Sequence, residues 1–147
     1  MPPPPGGASC GLTWADILDC ERVVLRFTAA FDASDLNGML AEFAFDGVWQ
    51  RMEGAVRGHD GLRALMDARP PGLLVRHVVT NMRVTPAGPG SAACTSYVTV
   101  YRHDHGGAKP VPLEQPALVG VYHDVLHKAD QTWLLSGRSV SADFKQV

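Results

Sequence analysis

Leu73-Leu74-Val75-Arg76-His77-Val78-Val79-Thr80-Asn81-Met82-Arg83-Val84 decides how the rest of the chain reads. β-Branched residues fill its middle, Pro70-Pro71-Gly72 precede it, and Pro86 and Gly88 close it. That is the pattern of a strand bounded by breakers. Successive side chains of a strand point to opposite faces. Val75, His77, Val79 and Asn81 therefore share one face, and Arg76, Val78, Thr80 and Met82 share the other. Neither set is purely polar, which predicts that both faces are covered. An imidazole in the middle of such a strand is either a satisfied core histidine or a base.

Three further strands follow, over 92–103, 117–128 and 132–142. In the first of these Tyr97, Thr99 and Tyr101 share one face and Val98 and Val100 the other. The 104–116 segment, with two glycines and three prolines, reads as a loop. Before the central strand the pattern is helical. Thr13 is an N-cap, and Asp16, three residues on, makes an imperfect capping box. Ile17, Val24, Phe27 and Phe31, joined by Leu18, Leu25 and Ala30, give an apolar stripe to about residue 33. Asp32 falls in the last turn, where an acid opposes the helix dipole, a local misfit that hints at another use. Ser34 or Asp35 caps a second helix through about Phe45, Asp46-Gly47 is a turn, and 48–53 alternates as a strand. After a short extended piece at 56–58, His59 or Asp60 caps a third helix over 61–68, stopped by Pro70-Pro71. Helices first and antiparallel strands later predict an α+β fold: a cone-shaped arrangement in which a strongly curved mixed or antiparallel sheet carries about three N-terminal helices over its concave face. Unless side chains fill it, the interior of such a cone is a ligand pocket.

Bulk properties narrow the function classes. The chain of 147 residues suits one domain over 13–147, after a Pro/Gly-rich tail, residues 1–12, expected to be disordered. A formal charge of −2 gives no support for a nucleic-acid or membrane partner. Cys10, Cys20 and Cys94 are odd in number and lack CxxC spacing, so neither a disulfide framework nor a zinc site is expected. Free thiols point to a reducing, cytoplasmic location. No apolar run is long enough to span a bilayer, and the N-terminus lacks the order of a signal peptide. His123 and His127, at i and i+4 on one strand, stand roughly 13 Å apart and cannot share a metal. Gly58 and Gly61 mark a turn and do not form a phosphate loop.

Three pieces in this order carry a resemblance. They are Ala29-Ala30-Phe31-Asp32-Ala33-Ser34-Asp35 with Phe45-Asp46-Gly47-Val48-Trp49 and Gly58-His59-Asp60-Gly61-Leu62; then Arg76-His77-Val78-Val79-Thr80-Asn81; then Gly120-Val121-Tyr122-His123-Asp124 with Trp133-Leu134-Leu135-Ser136-Gly137-Arg138. Together they resemble the SnoaL-like branch of the nuclear-transport-factor-2 superfamily, in spacing similar to scytalone dehydratase and hexachlorocyclohexane dehydrochlorinase. The resemblance implies a catalytic His77 paired with Asp32, and Arg138 facing them across the cavity to stabilise negative charge. It implies no metal or organic cofactor. A carboxylate would fix the tautomer of the imidazole and steady it once protonated. The implied activity is a cofactor-independent lyase or isomerase, dehydratase- or dehydrohalogenase-like, acting on a small hydrophobic and cyclic substrate. Phe31, Trp49, Val79, Tyr97 and Tyr122 are the expected pocket wall. Some family patterns are missing. Phe27 or Thr28 stands where ketosteroid isomerase has its oxyanion-hole tyrosine. The Arg-x-Asp strand motif of limonene-epoxide hydrolase is absent, and the dehydratase's substrate-binding tyrosines have no clear equivalents. The alternative reading is a non-catalytic binding or assembly module, such as a dioxygenase small subunit. In that case His77–Asp32 is a structural pair and Arg138 balances Asp32 or Asp124. Either reading implies a homodimer or a higher homo-oligomer.

Overall fold

The Thr13 hydroxyl accepts from the Asp16 amide at 3.1 Å, and the Asp16 carboxylate accepts from the Thr13 amide at 3.0 Å. This complete capping box, in the computed structural model of the protein, which describes residues 11–147, starts α1 (Trp14–Asp32). The expected tail lies outside the described residues as far as residue 10; Leu12 packs against the core. Asp35 caps α2 (Leu36–Glu42) through its carboxylate and the Gly38 amide at 2.9 Å. There follow β1 (Phe43–Arg51), β2 (Gly54–Arg57), α3 (Gly58–Asp67), β3 (Leu74–Pro86), β4 (Ser91–His103), β5 (Leu118–Ala129) and β6 (Thr132–Lys145).

The six strands form one sheet in the order β2-β1-β6-β5-β4-β3. All neighbours are antiparallel except β1 and β6, which run parallel. The sheet is therefore mixed, and it curls without closing, since β2 and β3 are its two edges. The three helices pack with it as expected. Cys20, Val24 and Phe27 of α1 are fully buried with Met39, Leu62, Leu126 and Leu135. Phe27 stacks on Phe43 with ring centroids 5.4 Å apart and meets Trp49 edge-on at 5.5 Å.

Several boundaries differ from expectation, each for a local reason. The second helix stops at Glu42, not near Phe45, because Phe43 turns to extended backbone and buries its ring. Asp46-Gly47 is not a turn: it lies inside β1, at the register shift between Phe43 and Val48. A Cβ at Gly47 would stand 2.7 Å from the Phe43 ring, so this bulge needs glycine. The third helix starts at Gly58, with no side-chain cap bond at Arg57. His59 and Asp60 sit in its first turn, and His59 Nε2 donates to the Phe43 carbonyl at 2.8 Å.

The alternation of β3 also breaks. Val75, His77 and Val79 face inward and Arg76, Val78 and Thr80 outward, as read. Asn81 then adopts φ 53° where the β3–β4 register shifts. This bulge reverses the faces, so Asn81 is exposed while Met82 and Val84 pack on the core. The outer face is not covered: Val78 is 46% exposed and Tyr97 55%.

Candidate functional site

The site begins at the C-terminus of α1. Helix C-termini leave carbonyls unpaired and attract cations. Arg69, in the connection from α3 to β3, supplies one. It donates to the Phe31 carbonyl at 2.6 Å and the Asp32 carbonyl at 3.3 Å, with its guanidinium 4.9 Å from the Phe31 ring centroid. Burial pushes the Arg69 guanidinium down from its ordinary range, and the neighbouring Asp32 charge opposes that. The helix end is thus held while Asp32 projects away from it.

The Asp32 carboxylate grips His77 at two points. Oδ1 lies 2.6 Å from the ring Nδ1 and Oδ2 accepts the His77 backbone N–H at 2.8 Å. The side chains are only 9% and 11% exposed for His77 and Asp32. With a carboxylate as its acceptor, the ring proton belongs on Nδ1. Nε2 is left as the basic nitrogen of the neutral ring, with no hydrogen-bond partner among the described residues. The ring is fixed by Phe31, edge-on at 5.6 Å, and by Tyr122, near-parallel at 6.4 Å.

His77 lines a cavity of about 260 Å³ between the helices and the sheet. Phe31, Trp49, Val75, Val100, Leu118, Tyr122 and Val140 form its body, and Arg51, Glu53, Arg102 and Lys145 stand among the residues at its mouth. Phe31, Trp49 and Tyr122 thus take the places expected of them. Tyr122 is 4% exposed and lines the cavity, and its hydroxyl has no hydrogen-bond partner among the described residues. Burial pushes the Tyr122 hydroxyl up, with the Arg138 charge pulling the other way. It stays protonated near neutral pH and can donate a hydrogen bond.

Three expected site residues stand elsewhere. Arg138 does not line the cavity. It is 3% exposed, donates to the two Asp124 oxygens at 2.7 and 3.0 Å and to Thr28 at 3.1 Å, and stacks 4.1 Å from the Tyr122 ring centroid. Burial opposes its charge, but the Asp124 carboxylate more than offsets this and holds the guanidinium above its ordinary range. Each of its three nitrogens makes one of these bonds, and it serves as a staple between α1 and the sheet. Tyr97 points to the outer face, because β4 alternates and Val98, fully buried, takes the inward place. Val79 faces inward but packs against the core beyond the cavity wall. Cys20 and Cys94 are buried free thiols, each pushed up to about 12 chiefly by burial, so neither is a usable nucleophile.

Sequence reasoning missed Arg69 and the charged mouth. The signals were present. Arg69 is a cation directly before the Pro70-Pro71 stop, at the entry to the strand that carries His77. Arg51 and Arg102 lie two residues beyond Trp49 and Val100, on the same inward faces.

This architecture can be set beside known proteins. The model of the SnoaL-like domain matches residues 13–139. Similar solved structures include a protein of unknown function with a cystatin-like fold from Nostoc punctiforme, 26% identical, with a TM-score of 0.72 over 90% of this chain and 94% of that one. ActVI-ORFA from Streptomyces coelicolor is 23% identical, with a TM-score of 0.71 over 86% and 96% of the two chains. A putative scytalone dehydratase from Novosphingobium aromaticivorans is 16% identical, with a TM-score of 0.68 over 88% and 85%. The last two share the fold. No curated protein matches the chain.

Proposed function

The chain belongs to the SnoaL-like domain family of the nuclear-transport-factor-2-like superfamily, and from that premise we propose that it is a cofactor-independent lyase or isomerase whose base is His77. The observation that carries the reading is the His77–Asp32 pair, 2.6 Å apart, with Nε2 left over on the side of an apolar cavity. A merely structural pair would not need a cavity beside it. The competing reading, a binding or assembly module, expected a sealed or filled cone with Asp32 beyond hydrogen-bond distance of His77.

The proposed step is proton abstraction next to an activating group. Nε2 takes the proton from a C–H bond, and that electron pair forms the new double bond or an enolate. In elimination the leaving hydroxyl takes up the proton that the His77 imidazolium now carries and departs as water, or a halide leaves as the anion; in isomerisation the proton returns to another carbon. Asp32 stabilises the imidazolium so formed and keeps the ring in place. Because Arg138 stands outside the cavity lining, with each guanidinium nitrogen already bonded to Asp124 or Thr28, the Tyr122 hydroxyl is the group assigned to the departing or developing oxygen. The substrate is a small, hydrophobic, cyclic molecule. No helix among the described residues is long and apolar enough to cross a membrane, and the cytoplasm is the proposed location. A homodimer is the proposed assembly.

The test is a panel of cyclic hydroxyketones and halogenated rings assayed with the wild type and the His77→Gln and Asp32→Asn variants. A substrate turned over by the wild type should lose about 10²–10⁴-fold in kcat in His77→Gln, the usual contribution of a general base. Asp32→Asn should lose a substantial part of the same factor. Unchanged turnover in His77→Gln sinks the proposal.

A further inference from the structure

The inward faces of the strands are apolar until the open end of the cavity, and there they become cationic on three separate strands. On β1 the inward series runs Trp49 then Arg51, and on β4 it runs Val98, Val100, Arg102. On β6 Lys145 pairs with Leu118, itself a cavity residue, and Arg102 pairs with Val75, another. Strand alternation thus aims the ends of these three side chains at one mouth.

Their charge is incompletely balanced. Arg102 gives its Nε to Asp104 at 2.7 Å, and its two terminal nitrogens have no protein partner among the described residues. Arg51 stands 3.6 Å from Glu53, whose side chain is 71% exposed, and its guanidinium lies 5.3 Å from the ring centroid of Trp49. Lys145 has no ion-pair partner among the described residues. Three cations therefore face two acids: Glu53, which stands at the same mouth, and Asp104, which lies outside the cavity lining. Among the described residues, the polar side-chain groups of the cavity body are the His77 ring, the Tyr122 hydroxyl and the Trp49 indole N–H. Its walls, Phe31 and Trp49 among them, suit a flat ring.

We propose that the cavity takes a ring compound carrying a carboxylate, its apolar body against Phe31 and Trp49 and its anionic group at the mouth between Lys145 and Arg102. This names the substrate class of the site described above, and it rests on the reading of that cavity as a ligand site. A guanidinium with two unused N–H edges and an ammonium are the donors that a carboxylate accepts with charge-assisted bonds. The arrangement also sets the ligand's direction. The charged end stays at the wet rim and the carbon skeleton is delivered to Nε2.

The test uses 1-naphthoate and 1-naphthamide, which match in shape and differ in charge, by isothermal titration calorimetry at low and at high salt. The wild type should bind the acid about tenfold or more tightly than the amide, the scale of one charge-assisted hydrogen bond. The margin should shrink in high salt. In a Lys145→Gln, Arg102→Gln variant the margin should vanish while amide binding holds, and in His77→Gln it should persist. Equal binding of acid and amide by the wild type overturns the proposal. So does failure to bind either, or a margin that survives the double substitution. A margin lost in His77→Gln but kept in the double variant assigns the charge to the imidazolium, and also overturns it. Binding is read without turnover, so an acid preference in a protein whose activity ignores His77 would retire the base and leave the acid-binding pocket standing.

Discussion

At the scale of the residue, one amino-acid type, aspartate, does two different things. Asp32 holds a titratable ring beside a cavity, whereas Asp124 neutralises an arginine away from it. The first pairing was legible: an acid misplaced at a helix C-terminus and an imidazole in an apolar strand each lack a local explanation, and they explain one another. The second was not, because it depends on register. Asp124 and Arg138 are cross-strand partners on β5 and β6, and no spacing rule separates that choice from Asp32. The consequence can be measured. Asp124 is 2% and Arg138 3% exposed, so removing one partner leaves a buried charge uncompensated. Asp124→Asn should cost about 3–5 kcal/mol in urea unfolding, and replacing both partners with Leu and Met should restore most of that. A single-variant loss under about 1 kcal/mol, the range of an exposed pair, would show that Arg138 finds another partner or reaches solvent. Ser96 makes a smaller case. Its Oγ is enclosed without a partner among the described residues, so Ser96→Ala should unfold at equal or higher urea concentration than the wild type.

At the scale of the element, boundaries were harder to read than existence. All three helices and the four long strands were foreseen, since periodicity runs over many residues. Two further errors fell at irregularities that leave no mark on composition: at Asp46-Gly47, where the β1–β6 register shifts inside the strand, and at Asn81, where one bulged residue reverses which side chains face inward. The start of α1 was read correctly, and it does more than cap. Asp16 also accepts from Lys128 Nζ and Trp133 Nε1, both at 3.0 Å, tying the helix to the β5–β6 hairpin. The Thr13 backbone bond, then Trp133, then Lys128 hold this carboxyl well below the ordinary carboxylate range. A depressed acid contributes stability that is fully present above its unfolded value, roughly pH 4. The contribution fades as pH falls below that, toward the lower folded value. Wild-type unfolding midpoints should therefore drop from about pH 4 downward more steeply than those of Asp16→Asn, with the two curves separated by a constant offset at neutral pH. Parallel curves throughout the acid range would remove Asp16 from the linkage.

At the scale of the whole molecule, the sequence led to an expectation that a single chain does not meet. The central strand has apolar residues on both faces, which predicts two covered faces, yet the helices cover one. Along the other, Val78, Tyr97, Tyr101 and Val125 remain 46%, 55%, 37% and 41% exposed. Pairing makes them neighbours in one field, with Val78 opposite Thr99, Tyr97 opposite Val121 and Val125 opposite Ala93. Apolar side chains gathered in this way on a folded surface mark an interaction site more often than scattered ones do. A second copy meeting sheet to sheet would cover them all and satisfy the pattern of β3, which is the physical content of the proposed homodimer. It also keeps the cavity free, because that lies on the opposite face. Light scattering on the eluted protein should then give about twice the 15.8 kDa chain mass. Tyr97→Glu with Val125→Lys should halve it without changing the far-ultraviolet circular dichroism, and without changing naphthoate binding if the cavity is complete within one chain. A wild type that elutes at the mass of one chain over all concentrations would refute the dimer.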